Sequence, residues 1–210
     1  PFFIVFEGVE GCGKSFQSKK LLKNLKKKKI QTLLTREPGG TKRAELIRNL
    51  ILKDYFNKVN KEKFDKYTDT LLYLAARNEH VKNKIKPALD NKKIVICDRF
   101  TDSTLAYQVY GKKVSLNFIN NIHKHILSGL KPNLTFILKV SHNVSQKRLL
   151  KRRTKNRYDN FAQSFYTKAQ KSFLKIAKSK KNYFVLNSSD NDNSLEKKIF
   201  KIVSTRLNIK

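Results

Sequence analysis

The chain has 210 residues, with 47 Lys and Arg against 16 Asp and Glu, for a formal net charge of +31. A hydrophobic content of 39% suits one sizeable core, while 7 Gly and 4 Pro exclude a collagen-like or Gly/Pro-rich low-complexity chain. No apolar run approaches the roughly 18–20 residues of a membrane helix, and the Pro1–Phe6 start lacks the basic flank of a signal peptide, so a cytoplasmic protein without a membrane partner is expected.

The first element is an apolar run, Phe2–Phe6, rich in Ile, Val and Phe. It does not alternate with polar residues, as suits a strand buried on both faces of a parallel sheet. Helical spacing follows over Phe16–Lys28, and a second strand over Thr32–Thr35. Helical patterns cover Thr41–Leu52 and Thr68–Leu89, and a third strand covers Ile94–Cys97. Next come a helix over Leu116–Leu127, a strand over Leu134–Leu138, and helices over Ser145–Arg153 and Phe161–Ala177. A fifth strand, Tyr183–Leu186, and a helix over Leu195–Leu207 close the chain, with Asn187–Ser194 as a loop and cap. Strands alternating with helices predict an α/β doubly wound fold: a five-stranded parallel sheet with helices on both faces. Neither an internal repeat nor a linker interrupts the pattern, so residues 1–210 read as one domain.

Between the first strand and the first helix lies Gly8-Val9-Glu10-Gly11-Cys12-Gly13-Lys14-Ser15, which matches G-x-x-x-x-G-K-[ST]. Glycines let such a loop wrap closely, so that backbone N–H groups point inward at phosphate oxygens. The following helix N-terminus adds positive potential. Lys14 is expected at the β- and γ-phosphates of a bound nucleotide, with the Ser15 hydroxyl on Mg²⁺. Strand, loop and helix in that order make a chance glycine turn a poor alternative.

The third strand ends in Asp98-Arg99. Ligands of a doubly wound sheet sit outside the carboxyl ends of its strands, so Asp98 is expected in the same crevice as Lys14 and Ser15. There it could bind Mg²⁺ through water, or orient Lys14 or an acceptor; Arg99 could pair bidentately with a phosphate. Two cysteines, Cys12 and Cys97, read as reduced thiols and not as a disulfide framework. His80, His123, His125 and His142 show no metal-ligand spacing and receive no role. The lysines are spread through the whole chain, which reads as solvated surface more than as a nucleic-acid footprint, so no specific nucleic-acid partner is expected.

Four blocks carry a narrower signal: Phe6 to Ser15, Thr35-Arg36-Glu37-Pro38-Gly39-Gly40-Thr41, Leu74-Ala75-Ala76-Arg77, and Asp98 to Gln108. In order and spacing they resemble the bacterial-type thymidylate kinases, P-loop nucleoside monophosphate kinases, and the similarity runs through nearly the whole chain. The resemblance implies transfer of the γ-phosphoryl group of ATP to dTMP, with Mg²⁺ as cofactor and a homodimer as the working state. It assigns ATP binding to Gly8, Val9, Glu10, Gly11, Cys12, Gly13, Lys14 and Ser15. Glu10, Arg36, Glu37, Pro38, Arg48, Tyr73, Arg77, Arg99, Thr104, Tyr107 and Gln108 fall to the acceptor. Tyr73 would stack on the thymine ring, Arg77 would donate to a base carbonyl, and Thr104 or Gln108 would read the N3 edge. Tyr73 and Arg77 lie four apart on one predicted helix, so they share a face. Glu10 would stand near the sugar 3′-hydroxyl and Tyr107 where a ribose 2′-hydroxyl would go, although Tyr73 and Tyr107 also fit core aromatics.

The run Lys147–Arg157 is densely basic. The resemblance makes residues 147–160 a short lid carrying the catalytic arginine, with Arg153 and Arg157 as candidates, Arg152 beside them, and Lys14, Asp98 and Arg99 completing the catalytic set. The phosphate loop has no arginine between Gly8 and Lys14, consistent with that division. Tyr158 and Asp159 depart from the family's apolar residue and Glu, and Cys12 stands where Ala or Ser is usual. A kinase for another nucleoside monophosphate and a basic nucleic-acid-dependent ATPase remain the rival readings.

Overall fold

The computed structural model describes residues 1–53, 63–151, 163–178, 180–190 and 193–209. Five strands, β1 (Phe2–Glu7), β2 (Thr32–Arg36), β3 (Ile94–Asp98), β4 (Leu134–Lys139) and β5 (Tyr183–Asn187), form one sheet in the order β2-β3-β1-β4-β5. Every pairing is parallel, with Phe6 opposite Asp98 on one side and opposite Phe136 on the other. The doubly wound α/β fold is as expected. Each strand runs one residue beyond its apolar stretch, ending on Glu7, Arg36, Asp98, Lys139 or Asn187. Backbone pairing continues where the side chains turn polar, which places ionisable groups at the carboxyl edge of the sheet.

Successive side chains of a strand point to opposite faces. Ile4 and Phe6 of β1 pack with Ile96 and Phe136, and with Leu21 and Leu25 of α1 (Lys14–Lys27) and Ile199 and Val203 of α9 (Ser194–Leu207). Phe3 and Val5 face the other way, against Val81, Ile85 and Ala88. α2 (Lys42–Leu52) is capped by Thr41, whose side chain accepts from the Ala44 N–H at 3.1 Å. The expected single helix over Thr68–Leu89 is a correction. It is α3 (Lys66–His80), a π-helical stretch over Val81–Ile85, and α4 (Lys86–Asp90). A one-residue π-register shift keeps the chain helical while rotating its apolar face, which periodicity cannot register. α5 (Thr101–Thr104) continues into a second π-helical stretch, Leu105–Gly111, that the sequence pattern did not reveal. α6 (Leu116–Leu127) is as expected; α7 spans His142–Leu150 and α8 spans Gln163–Ala177, against expected bounds of Ser145–Arg153 and Phe161–Ala177. α7 starts earlier because Ser141 caps it, accepting from the Val144 N–H.

Candidate active site

β1 ends at Glu7 and the chain turns at once into the glycine loop. Gly8 and Gly11 take φ values of +136° and +71°, a region side chains avoid. A Cβ on Gly8 would stand 2.6 Å from the Leu138 carbonyl oxygen, and one on Gly11 would stand 2.6 Å from that of Ser145. The loop is therefore pressed against β4 and α7 as tightly as backbone allows. Lys14 opens α1, and its ammonium donates to the Gly8 and Val9 carbonyls at 3.1 and 2.8 Å, with the Cys12 Sγ at 3.5 Å. The Cys12 carbonyl accepts from the Ser188 hydroxyl at 2.8 Å, and both Cys12 and Cys97 are buried free thiols. The Ser15 hydroxyl donates to the Asp98 carboxylate, across the ends of two neighbouring strands.

Gly11, Lys14, Ser15 and Asp98 border a cavity of about 540 Å³. Of the expected set, Glu10, Gly11, Gly13, Lys14, Ser15, Arg36, Glu37, Pro38, Arg48, Tyr73, Arg77, Asp98, Arg99, Thr104, Tyr107 and Gln108 all line it. Gly8, Val9 and Cys12 lie behind the wall, where they shape the loop and hold Lys14. Arg152, Arg153 and Arg157 lie outside the described residues, so the expected lid is represented only by its first part, in α7. There Arg148 lines the cavity, donating to the Gly11 carbonyl at 3.3 Å and to that of Ser188 at 2.8 Å. It was one cation in a basic run; nothing in the run marks it out.

Arg99 follows β3 with a positive φ of 74°, an uncommon conformation for a side-chain-bearing residue. That turn brings its guanidinium back over the loop. It donates to the Gly8 carbonyl at 2.9 Å, the Ser103 hydroxyl at 3.0 Å and Glu10 at 2.7 Å. The second Glu10 oxygen accepts from the Tyr107 hydroxyl at 2.7 Å. Burial pushes the Glu10 carboxyl up, but Arg99, Lys14 and Tyr107 outweigh it, and the net shift is downward. Tyr107 belongs to both readings: its hydroxyl holds Glu10, while its ring stacks on Phe165 at 5.8 Å and belongs to the core.

Glu7 drew no attention in the sequence, because a single acid after an apolar strand reads as strand end. Buried, it accepts from the Phe100 and Ser103 N–H groups and from the Ser103 hydroxyl, at 2.7, 3.1 and 2.6 Å. Burial and the nearby Asp102 raise its pKa to about 7, against the lowering effect of Arg99 and these hydrogen bonds.

A second buried group backs the far wall. Glu37 takes a hydrogen bond from the Arg77 Nε at 2.7 Å and faces the His80 Nδ1 at 3.1 Å. His80 reaches on to the Thr35 hydroxyl at 2.6 Å, and Arg77 donates to Thr104 at 2.7 Å and to the Phe100 carbonyl at 2.9 Å. Burial would raise the Glu37 carboxyl, but Arg77 and His80 hold it below its ordinary value. Arg77 is thus largely engaged by the protein, whereas the sequence reading gave it to a base alone. Arg48 donates to the Pro38 carbonyl at 2.6 Å, and Glu45 ties down the same loop through the Gly40 N–H at 2.9 Å. Gln108 is buried at the cavity wall, and its Nε2 has no hydrogen-bond partner among the described residues.

Lys14, Arg36, Arg48, Arg77, Arg99 and Arg148 face Glu10, Glu37 and Asp98 around this one space, a net positive lining suited to phosphates. A family model described as thymidylate kinase matches residues 6–199. The chain belongs to the thymidylate kinase family. Membership makes it a dTMP kinase, an enzyme that phosphorylates dTMP to dTDP. A thymidylate kinase of Geotalea daltonii is 41% identical over 191 residues, covering 88% of this chain and 87% of its own length. One of Aster yellows witches'-broom phytoplasma is 41% identical over 209 residues, covering 98% and 96%. The solved structure of a thymidylate kinase from Ehrlichia chaffeensis superposes with a TM-score of 0.75 at 32% identity, over 96% of this chain and 98% of that one.

Proposed function

We propose that this cavity holds both nucleotides end to end, with MgATP on the glycine loop and dTMP against Tyr73, Arg77, Thr104 and Gln108. The observation that carries this reading is the unpartnered Gln108 amide, in the same space as Lys14 and Ser15. A buried amide without a partner costs roughly 1–3 kcal/mol, and a pyrimidine edge with carbonyl and N–H groups would satisfy it. Tyr73 and Arg77, four apart on α3, border the same space.

The acceptor oxygen belongs to a phosphate that is largely ionised at neutral pH. Its attack on the γ-phosphorus forms the new P–O bond as the bond to the β-phosphate oxygen breaks, so no side chain has to remove a proton. The chain's task is alignment and charge neutralisation. Arg99 would meet the acceptor phosphate, and Lys14 the β- and γ-phosphates. Glu10, kept ionised by Arg99 and Lys14, would accept a sugar hydroxyl. Tyr107 would close the space beside the sugar. Arg36, Glu37, Pro38 and Arg48 would form the acceptor side of the wall. The lid, residues 147–160 of a single kinase domain, would bring Arg153 and Arg157 over the phosphates.

Ser15 and Asp98 offer the hard oxygen donors that Mg²⁺ prefers. The described residues contain no group of three His, Cys, Asp or Glu able to hold a metal alone, so the ion would be shared with the phosphates. When bound it neutralises charge on the β- and γ-phosphate oxygens.

The working state proposed is a homodimer in the cytoplasm. Exposed Leu46 and Leu50 on α2, Leu71 on α3 and Leu116 on α6 support an apolar contact between copies. Light scattering should give twice the chain mass, and a Leu46→Glu variant should shift toward monomer; a monomeric parent would refute it. A coupled ADP-release assay across dTMP, dUMP, UMP, CMP, AMP and GMP tests the substrate assignment. Turnover should be highest with dTMP and indifferent to added nucleic acid. Preference for a purine monophosphate would overturn the pocket assignment.

A further inference from the structure

Arg77 has five N–H groups and no acceptor. Four of them are used within the protein. Nε donates to Glu37, one Nη2 hydrogen to the Phe100 carbonyl, and Nη1 to both the Thr104 hydroxyl and the His123 Nε2 at 2.9 Å. The four acceptors come from different segments: the loop after β2, the turn after β3, α5 and α6. One Nη2 hydrogen is left without an acceptor among the described residues. A base carbonyl needs one donor.

We propose that His123, a residue of α6 that is absent from the cavity wall, is a positioning residue for the acceptor base: it fixes the Arg77 guanidinium so that its one remaining N–H serves a pyrimidine carbonyl. The inference rests on the reading that Arg77 touches dTMP. Because Arg77 can only donate, His123 must accept through Nε2 and carry its proton on Nδ1. Burial and the Arg77 charge lower the His123 pKa to about 3, so the ring stays neutral and able to accept. His123 complements Glu37. The carboxylate anchors one end of the guanidinium at Nε, and the imidazole anchors Nη1 at the other. Without His123 the Nη1 end keeps only the Thr104 hydroxyl, so the guanidinium is held less firmly beside its Glu37 and Phe100 contacts and the free N–H is less sharply aimed.

The test is a set of variants assayed for dTMP and ATP dependence. His123→Leu should raise the KM for dTMP about five- to tenfold while kcat and the KM for ATP stay within about twofold. His123→Gln, whose amide oxygen can accept near the Nε2 position, should restore the KM to within about twofold. In an Arg77→Ala background, His123→Leu should add nothing further. An unchanged KM in His123→Leu, a Gln variant as impaired as Leu, or an undiminished effect in the Arg77→Ala background would each overturn the positioning role. A normal KM in Arg77→Ala itself would instead remove Arg77 from the pocket and the inference with it. The parent enzyme supplies a readout independent of any variant's folding. Nitrogen-15 NMR of labelled histidine should show His123 protonated on Nδ1 alone, and a proton on Nε2 would refute the contact.

Discussion

Replacing Glu37 by Gln keeps the side-chain shape and removes one buried charge. In the parent, Glu37 meets Arg77 at 2.7 Å and His80 at 3.1 Å, and the side chains of the Arg77–Glu37 pair are only 3% and 4% exposed. Removing one partner of a buried ion pair costs about 3–5 kcal/mol, because the remaining charge loses its compensation. The Gln oxygen keeps one acceptor, so about 3 kcal/mol is expected. For a chain of this size each kcal/mol moves the melting temperature by roughly 2–4 °C, which gives a drop of about 6–12 °C. Thermal and urea melts without ligand measure it. The double variant Glu37→Gln/Arg77→Met removes the orphaned charge and should recover most of the loss. A single variant melting within about 2 °C of the parent, or a double variant no better than the single, would refute the claim that this pair carries its charge buried.

Lys14→Ala should lower kcat by about 100-fold or more, since a single donor to developing phosphate charge is worth that much in a closed site; near-normal turnover would discredit the loop as the phosphate cradle. Glu7 supplies a pH test. Its carboxyl titrates near 7 in the fold against an ordinary 4.5, so between those values the folded chain holds a proton that the unfolded chain has released. The stability that Glu7 contributes is therefore fully present below about pH 4.5 and is lost as pH rises through about 7. Glu7→Gln should flatten that part of the stability–pH curve, and an unaltered slope would exclude Glu7 as its source. Arg153→Ala and Arg157→Ala should each reduce kcat more than they weaken dTMP binding; unchanged turnover in both would assign them to solvated surface charge.

The strands were legible because a parallel sheet buries both faces, which leaves continuous apolar runs such as Ile94–Cys97. The glycine loop was legible because its geometry admits few alternatives to glycine at Gly8 and Gly11. The π-helical stretches were not, because Val81–Ile85 keeps a helix-compatible pattern, with apolar Val81 and Ile85 four apart, while its hydrogen-bond register shifts. Thr101–Gly111 was hidden for a different reason. Its residues face three ways at once: Asp102 inward, Tyr107 toward the core, and Thr104 and Gln108 to the cavity wall. No single stripe survives. His80 and His123 could not be found from spacing, since their partners Thr35, Glu37 and Arg77 reach them only through the packing of distant segments. Charge counting failed in the same way for Arg148. Among so many cations, only the fold shows which one lies against the Gly11 and Ser188 carbonyls.

A crystal structure with dTMP and a non-hydrolysable ATP analogue together is the most direct trial of two nucleotides sharing one space. The triphosphate should lie on Lys14 and Ser15, and the thymine should lie over Tyr73 with a carbonyl at Arg77 and an edge at Gln108. A thymine bound away from Tyr73 and Gln108, or a triphosphate away from Lys14, would contradict the account.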